Sequence, residues 1–342
     1  MSYNIALNFE DGVTRFIRCN AGETVLDAAY RNRIKLPMDC ADGVCGTCKG
    51  RCRQGSFELG HDYIDAALTE LERAAGNILT CQMVPSSDCV VDIPAASTLC
   101  KTGTTDFGGT LAEITLVSPT AIALSVVADE PIHFLPGQYV NIQVPGSHET
   151  RAYSFSSRPG CRELHFLIRN VPGGLMSTWL VRQARLGERL TLSGPMGVFY
   201  LRPVVRPVLM LAGGTGLAPF LAMLAQLKVT GCKQPVHLIY GVTHDDDLVG
   251  IEALEQCAAE LDQFSFKTVV ADANSRHPNK GYVTHHMEQA LMEQGEVDVY
   301  LCGPQPMVDA VLTHFRDQGI EPASFHYERF SPSIVAITEH VA

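Results

Sequence analysis

Met38-Asp39-Cys40-Ala41-Asp42-Gly43-Val44-Cys45-Gly46-Thr47-Cys48, followed much later by Cys81, is the stretch that decides how this chain reads. Its cysteines fall in the order C-x4-C-x2-C…C, three thiols from one short loop and one from a distant point. Gly43 and Gly46 matter as much as the sulfurs. A loop wrapped around a sulfur-bearing group must turn its backbone N–H groups inward, and only glycine adopts the necessary conformations cheaply. Zinc knuckles pair two C-x2-C units, and here only Cys45 and Cys48 make one. A disulfide framework belongs to short exported chains. This chain has 342 residues and opens on Met1-Ser2-Tyr3-Asn4-Ile5, with no basic n-region and no apolar h-region, so no export signal is expected.

The spacing resembles that of the plant-type ferredoxins, in which four thiolates hold a [2Fe–2S] cluster. The resemblance implies Cys40, Cys45, Cys48 and Cys81 as its ligands and a small α+β domain of the β-grasp kind over residues 1–97. Local signals agree. Tyr3–Phe9 and Val13–Cys19 alternate around Glu10-Asp11-Gly12, a hairpin. Thr24 can cap a helix running to about Asn32. Short strands are expected near Ile78–Thr80 and Cys89–Ile93. The other eight of the twelve cysteines read as buried or free thiols, with Cys52 falling where a strand should leave the loop. A cluster needing thiolates, and so many cysteines, point to a reducing cytoplasm.

A cluster carries single electrons and does no substrate chemistry, so the rest of the chain should supply them. Residues 98–108, within a polar Gly/Thr-rich run, read as a linker. Beyond it, short strands at Thr110–Val117, Ile122–Val127, Gln138–Val144, Thr150–Phe155 and Leu164–Arg169 suggest a closed antiparallel barrel over 109–205. From Pro207 the pattern changes to continuous apolar strands at Val208–Leu211, Val236–Tyr240, Phe266–Val270 and Val297–Leu301, with a helix at Ala218–Leu227. That is an open parallel α/β sheet over 206–342. The most apolar stretch, Val208 to Leu227, is broken by Gly213-Gly214, Gly216 and Pro219, so it reads as strand–turn–helix and not as a membrane span.

Arg151-Ala152-Tyr153-Ser154 ends a barrel strand, and here the chain resembles the ferredoxin–NADP⁺ reductase superfamily, whose flavin domain, a Greek-key barrel, carries an R-x-Y-[ST] motif. Arg151 offers a fork of donors to a flavin phosphate, or a surface salt bridge. Tyr153 offers a flat face to the isoalloxazine, and Ser154 a hydrogen bond near its reactive edge. Pro136-Gly137-Gln138-Tyr139 lies upstream. Downstream, Gly173-Gly174-Leu175-Met176-Ser177-Thr178 opens a helix whose N–H groups suit a diphosphate, so Gly173, Gly174, Met176, Ser177 and Thr178 are assigned to FAD. Gly213-Gly214-Thr215-Gly216 lies between strand and helix, where a dinucleotide can approach. Cys302-Gly303-Pro304-Gln305-Pro306-Met307 resembles the superfamily's second nicotinamide motif, C-G-P-x-x-M, which implies Cys302, Gly303, Pro304 and Met307 beside the nicotinamide; a buried structural thiol is the plainer reading of Cys302. Asp245, Asp246 and Asp247 follow a strand end and would repel a 2′-phosphate, favouring NADH, with Asp245 or Asp247 accepting from the ribose unless these acids are a solvated loop. Phe330 is implied as the ring that shields the flavin. Ser154, Cys302 and Phe330 are thus the residues expected beside the reacting atoms.

Net charge is −11, which argues against nucleic acid, and only the middle stretch, residues 101–205, is net positive (+2), where a diphosphate is expected. Ferredoxin, flavin domain and nicotinamide domain, in that order, resemble the reductase components of benzoate/anthranilate-type aromatic-ring-hydroxylating dioxygenases. This implies an NADH-dependent oxidoreductase, a monomer with [2Fe–2S] and FAD, passing electrons transiently to a Rieske non-haem iron terminal oxygenase, with no membrane partner. A reductase for a diiron monooxygenase, or for deoxysugar biosynthesis, shares the domain order. A cofactor-free interaction protein of the same folds is the reading from another class.

Overall fold

The computed structural model describes residues 2–38, 43–61, 63–65, 67–100 and 105–330; Cys40 lies outside them. One compact unit holds the described chain up to Thr115 together with Ile122–Arg202. The other holds Leu116–Ala121 together with the chain from Pro203 onward.

The N-terminal part is a mixed sheet crossed by one helix. Strands β1 (Ser2–Phe9) and β2 (Thr14–Asn20) form the hairpin that Glu10-Asp11-Gly12 signals, with Gly12 at a positive φ. Helix α1 (Val25–Arg31) is capped by Thr24, whose side chain accepts from the Asp27 N–H, and buries Val25, Leu26, Ala28 and Ala29. Strand β3 (Lys49–Gln54) leaves the cysteine loop, β4 (Phe57–Leu59) follows, and helix α2 (Glu70–Ala74) starts with a Thr69/Glu72 capping box. Strands β5 (Asn77–Leu79), β6 (Met83–Pro85) and β7 (Cys89–Ile93) complete this part. The sheet order is β2-β1-β7-β3-β5, with β1 and β7 parallel, while β4 and β6 pair separately. Cys100, at the start of the expected linker, is buried in this core, and the next strand already begins at Thr105.

Six strands follow: β8 (Thr105–Ser118), β9 (Ala121–Ile132), β10 (Tyr139–Gln143), β11 (Thr150–Ser154), β12 (Cys161–Arg169) and, after helix α3 (Leu175–Arg182), β13 (Arg189–Met196). They form one sheet in the order β11-β10-β13-β8-β9-β12. The fully closed barrel expected from the strand spacing is not formed. Among the described residues, the two edge strands meet at a single bridge, Phe155 to Phe166, and not along a ladder. The Ser156 N–H donates to the His165 carbonyl beside that bridge, and Phe155 stacks on Phe134 with centroids 3.8 Å apart.

The C-terminal sheet contains β14 (Val208–Gly213), β15 (Val236–Val242), β16 (Phe264–Val270), β17 (Asp298–Pro304) and β18 (Ser324–Phe330), ordered β16-β15-β14-β17-β18 and parallel throughout. Every residue of β14 is buried, as expected for a parallel strand covered on both faces. Helices α4 (Ala218–Thr230), α5 (Ile251–Glu260) and α6 (Gln305–Asp317) connect the strands. Successive strands run outward from β14 through β15 and β16, then return to β17 on its other side, so the strand order reverses between β14 and β17. Open α/β sheets bind ligands at the carboxyl ends flanking such a point. His285 and His286 sit in a 3-10 turn, and the His286 ring is 2.9 Å from the Lys280 carbonyl oxygen. No helix among the described residues is long and apolar enough to cross a membrane.

Candidate functional site

The cysteine loop is built for inward-facing N–H groups. Gly43 and Gly46 have φ near +74° and +75°, which glycine alone adopts without strain. A side chain on Gly46 would press on the Ala67 carbonyl at 3.2 Å. The Thr47 N–H points at Cys45 Sγ, 3.5 Å away. Cys48 and Cys81 come together with their sulfurs 3.2 Å apart, both buried and neither in a disulfide. The Thr80 N–H donates to the Cys48 carbonyl, which holds the two segments in register. Among the described residues no three metal-binding side chains are gathered at one point; Cys40, the remaining sulfur, is outside them. Buried thiols brought together from two segments beside a glycine loop fit the four-thiolate requirement of a [2Fe–2S] cluster.

The R-x-Y-S strand is β11, paired antiparallel with β10 so that Ser154 faces Tyr139 and Tyr153 faces Val140. Ser154 is buried, and burial pushes the Tyr153 phenol up, so it stays neutral. Arg151 makes local contacts, donating to Glu149 at 3.0 Å and to the Thr150 carbonyl at 2.7 Å. Gly174 is the N-cap of α3, with no side chain capping the helix, and Gly173 has φ +73° with open space around it. That leaves the first-turn N–H groups without a side-chain cap. Met176 is buried, and the Ser177 hydroxyl is used internally: it accepts from the Val171 N–H at 2.9 Å and lies 3.2 Å from the Arg169 carbonyl. Ser177 therefore shapes the turn.

At the switch point, the two glycine motifs touch backbone to backbone. A Cβ on Gly216 would collide with the Cys302 carbonyl, and one on Gly213 would stand 2.5 Å from the Met307 sulfur and 2.9 Å from Pro304. Gly303 Cα would lie 3.2 Å from the Gly216 Cβ and is equally close to Gly213. Gly213, Gly216, Cys302, Gly303, Pro304 and Met307 thus form one close-packed junction at the ends of β14 and β17, and Gly214, on the turn above it, has open space around it. Cys302 is fully buried, and burial, with the Glu328 charge added, holds its thiol well above the ordinary range. Cys302 pairs in register with Glu328, and Pro304 with Phe330, so Phe330 stands at the carboxyl end of the neighbouring strand.

The three aspartates follow β15, also at its carboxyl end, and have different partners. Asp247 is buried; its Oδ1 accepts from Thr120 and its Oδ2 from the His244 N–H. Asp245 accepts from the Ser275 hydroxyl at 2.8 Å, and Asp246 is exposed. Ser275 and Thr120 lie far from these acids in sequence and carry no motif, so nothing in the sequence marks them.

Three family models match in chain order: a 2Fe-2S iron-sulfur cluster binding domain over residues 8–86, an oxidoreductase FAD-binding domain over 109–200 and an oxidoreductase NAD-binding domain over 210–313. The chain is 53% identical to a toluate 1,2-dioxygenase electron transfer component of Pseudomonas putida, over 97% of this chain and 100% of that one. It is 46% identical to a 2-halobenzoate 1,2-dioxygenase electron transfer component of Burkholderia cepacia, over 98% and 99% of the two chains. Among solved structures, an Amycolatopsis cytochrome P450 reductase superposes with a TM-score of 0.71 at 29% identity, covering 96% of this chain and 99% of that one. A ferredoxin reductase in carbazole 1,9a-dioxygenase gives 0.65 at 27%, covering 96% and 100%.

Proposed function

The chain belongs to the family of electron transfer components of benzoate-type 1,2-dioxygenases, and from that premise we propose that its electrons go to the Rieske non-haem iron terminal oxygenase of such a system. The activity is that of an NADH-dependent oxidoreductase, passing electrons from NADH through FAD to a [2Fe–2S] cluster. FAD takes a hydride's two electrons together and releases them singly, as a [2Fe–2S] cluster requires. The match at 53% identity over 97% of this chain and 100% of the relative supports the assignment of the acceptor. Relatives that serve phenol 2-monooxygenase match at 31%, so the dioxygenase reading is favoured over the diiron one.

The protein's own residues bind and orient. Cys40, Cys45, Cys48 and Cys81 would hold the cluster as its four thiolates. Arg151, Tyr153, Ser154 and the Gly173–Thr178 turn hold FAD, and Phe330 covers it. Gly213–Gly216 and Cys302–Met307 receive the nicotinamide half of NADH, and the open space at Gly214 supports close approach of a dinucleotide. Asp245 reads the ribose, because both oxygens of Asp247 are already engaged. Ser154, Cys302 and Phe330 border the reacting atoms. The cluster domain runs to about residue 100, the flavin domain from Thr105 to 205 and the nicotinamide domain from 206 on, with a β-grasp sheet first and a Greek-key order in the second. The working form is a cytoplasmic monomer that docks its oxygenase transiently.

An anaerobic NADH titration followed by visible and EPR spectra tests the path. Flavin bleaching together with a rhombic reduced [2Fe–2S] signal is expected, and Cys45→Ser should keep the first and lose the second. Reduction of the partner oxygenase by that variant would refute the path.

A further inference from the structure

The β1–β2 hairpin of the cluster-bearing part and the segment after β13 meet at a compact polar knot. Arg202 Nη2 lies 3.2 and 3.3 Å from the two carboxylate oxygens of Glu10 and 3.4 Å from the Pro94 carbonyl. Its Nη1 donates to the carbonyls of Val198 and Tyr200, both at 2.8 Å. The guanidinium carbon sits 3.8 Å above the Tyr200 ring, and the Tyr200 hydroxyl donates to Glu10 at 3.2 Å. Arg202 is 17% exposed and Glu10 33%, so the pair is much less screened than a surface bridge. Nη2 alone meets the Glu10 carboxylate while Nη1 holds two backbone carbonyls, a division between two nitrogens that a single lysine ammonium would not reproduce.

Both ends of the knot are anchored. The Glu10 N–H donates to the Ala95 carbonyl, and the neighbouring Asp11 accepts from both the N–H and the hydroxyl of Ser97. On the other side, Val198 packs on the core that holds Cys48 and Cys81. The Leu201 N–H donates to the Pro136 carbonyl, Gln138 donates to the Gly197 carbonyl, and the Phe155 N–H, one residue after Ser154, donates to the Gln138 carbonyl. A continuous run of short contacts therefore joins the hairpin beside the cluster domain to the strand carrying Tyr153 and Ser154.

We propose that Glu10 and Arg202 are positioning residues that hold the cluster domain against the flavin-binding strand and so set the rate at which electrons pass from flavin to cluster. The inference rests on the electron path given under Proposed function. Neither residue touches a cofactor site, so their loss should leave hydride uptake from NADH unchanged and slow only the internal step.

The test uses the full holoprotein in anaerobic single-turnover mixing with NADH, reading flavin bleaching optically and cluster reduction by freeze-quench EPR. For Glu10→Gln and Arg202→Met the first rate should stay within about twofold while the second falls about tenfold, because losing the contact lets the cluster domain move away from the flavin-binding strand. Arg202→Lys should recover only part of it. Calorimetry gives a readout free of turnover: the cluster and flavin domains should melt together in the native protein and separately in Arg202→Met. Unchanged cluster reduction and a single melt in both variants would overturn the proposal, as would equal slowing of both rates with FAD still bound. If the native protein itself shows flavin bleaching without cluster reduction, it is the electron path that fails. The joint melt then still reports whether the clamp holds the domains.

Discussion

The Thr120 hydroxyl donates to Oδ1 of Asp247 across 2.6 Å, joining the turn between β8 and β9 to the acidic loop that follows β15. Asp247 Oδ2 accepts the His244 N–H, and the Tyr240 hydroxyl reaches the Asp247 carbonyl at 3.4 Å. A buried carboxylate is costly unless its oxygens are bonded. These bonds hold the loop in the shape that presents Asp245 and Asp246.

Thr120→Val removes that donor at nearly constant volume. A hydrogen bond to a charged group is worth about 1.5–3 kcal/mol. With the acidic loop loosened, KM for NADH should rise about tenfold, the factor matching ~1.4 kcal/mol, while flavin reduction at saturating NADH holds its rate. Thr120→Ser should restore the native KM. Steady-state kinetics of the three proteins check this; a fall in the saturated rate at constant KM would mean that Thr120 acts elsewhere.

Gly216→Ala tests the close approach of the two nicotinamide motifs. The added methyl collides with the Cys302 carbonyl, which is rigid backbone in a buried strand. Overpacking of this kind costs about 1–3 kcal/mol. Urea unfolding should show a loss in that range in the C-terminal unit, and titration should show weaker NADH binding. Native stability and native affinity together would mean that the strand ends can part freely.

What the sequence made legible was local. Thr24 caps α1 and Glu10-Asp11-Gly12 turns a hairpin because the partners lie within a few residues of one another. The C-x4-C-x2-C spacing and the glycine motifs are equally local. Pairings across the chain were not legible: β1 lies parallel beside β7, Thr120 finds Asp247 127 residues away, and Arg202 finds Glu10 192 residues away. Nor does the spacing of β8–β13 tell whether the edge strands will pair along their length; among the described residues they meet in a short stretch around Phe155 and Phe166. Ser177 looked like an anion ligand by position, yet its hydroxyl closes its own turn.

His237 predicts an acid-side weakness. Burial, reinforced by the Lys267 charge and opposed by Glu288, pulls its pKa below the usual value, and Nε2 is buried without a partner. The unfolded chain takes up this proton near pH 6.5 and the folded chain only lower. Stability is therefore full above about pH 6.5 and falls as pH drops toward the folded value. Urea unfolding between pH 7.5 and 5.5 should show a steeper loss in the native protein than in His237→Gln. Identical slopes would acquit His237.

The thiols should divide sharply by environment. Burial pushes Cys19 and Cys89 up to about 11 and Cys100 up to about 12, and it raises Cys302 further with help from Glu328. The thiolate is the reacting form, so these four should resist iodoacetamide in the folded holoprotein at pH 8, while the half-exposed Cys161 and Cys232 label. In urea all should react. Peptide mass spectrometry after a timed exposure reads the pattern directly. Resistance at Cys302 would show a buried neutral thiol that cannot act as a nucleophile. Labelling of Cys302 as fast as Cys161 would require an open path to solvent at the end of β17, and with it a thiolate available for chemistry.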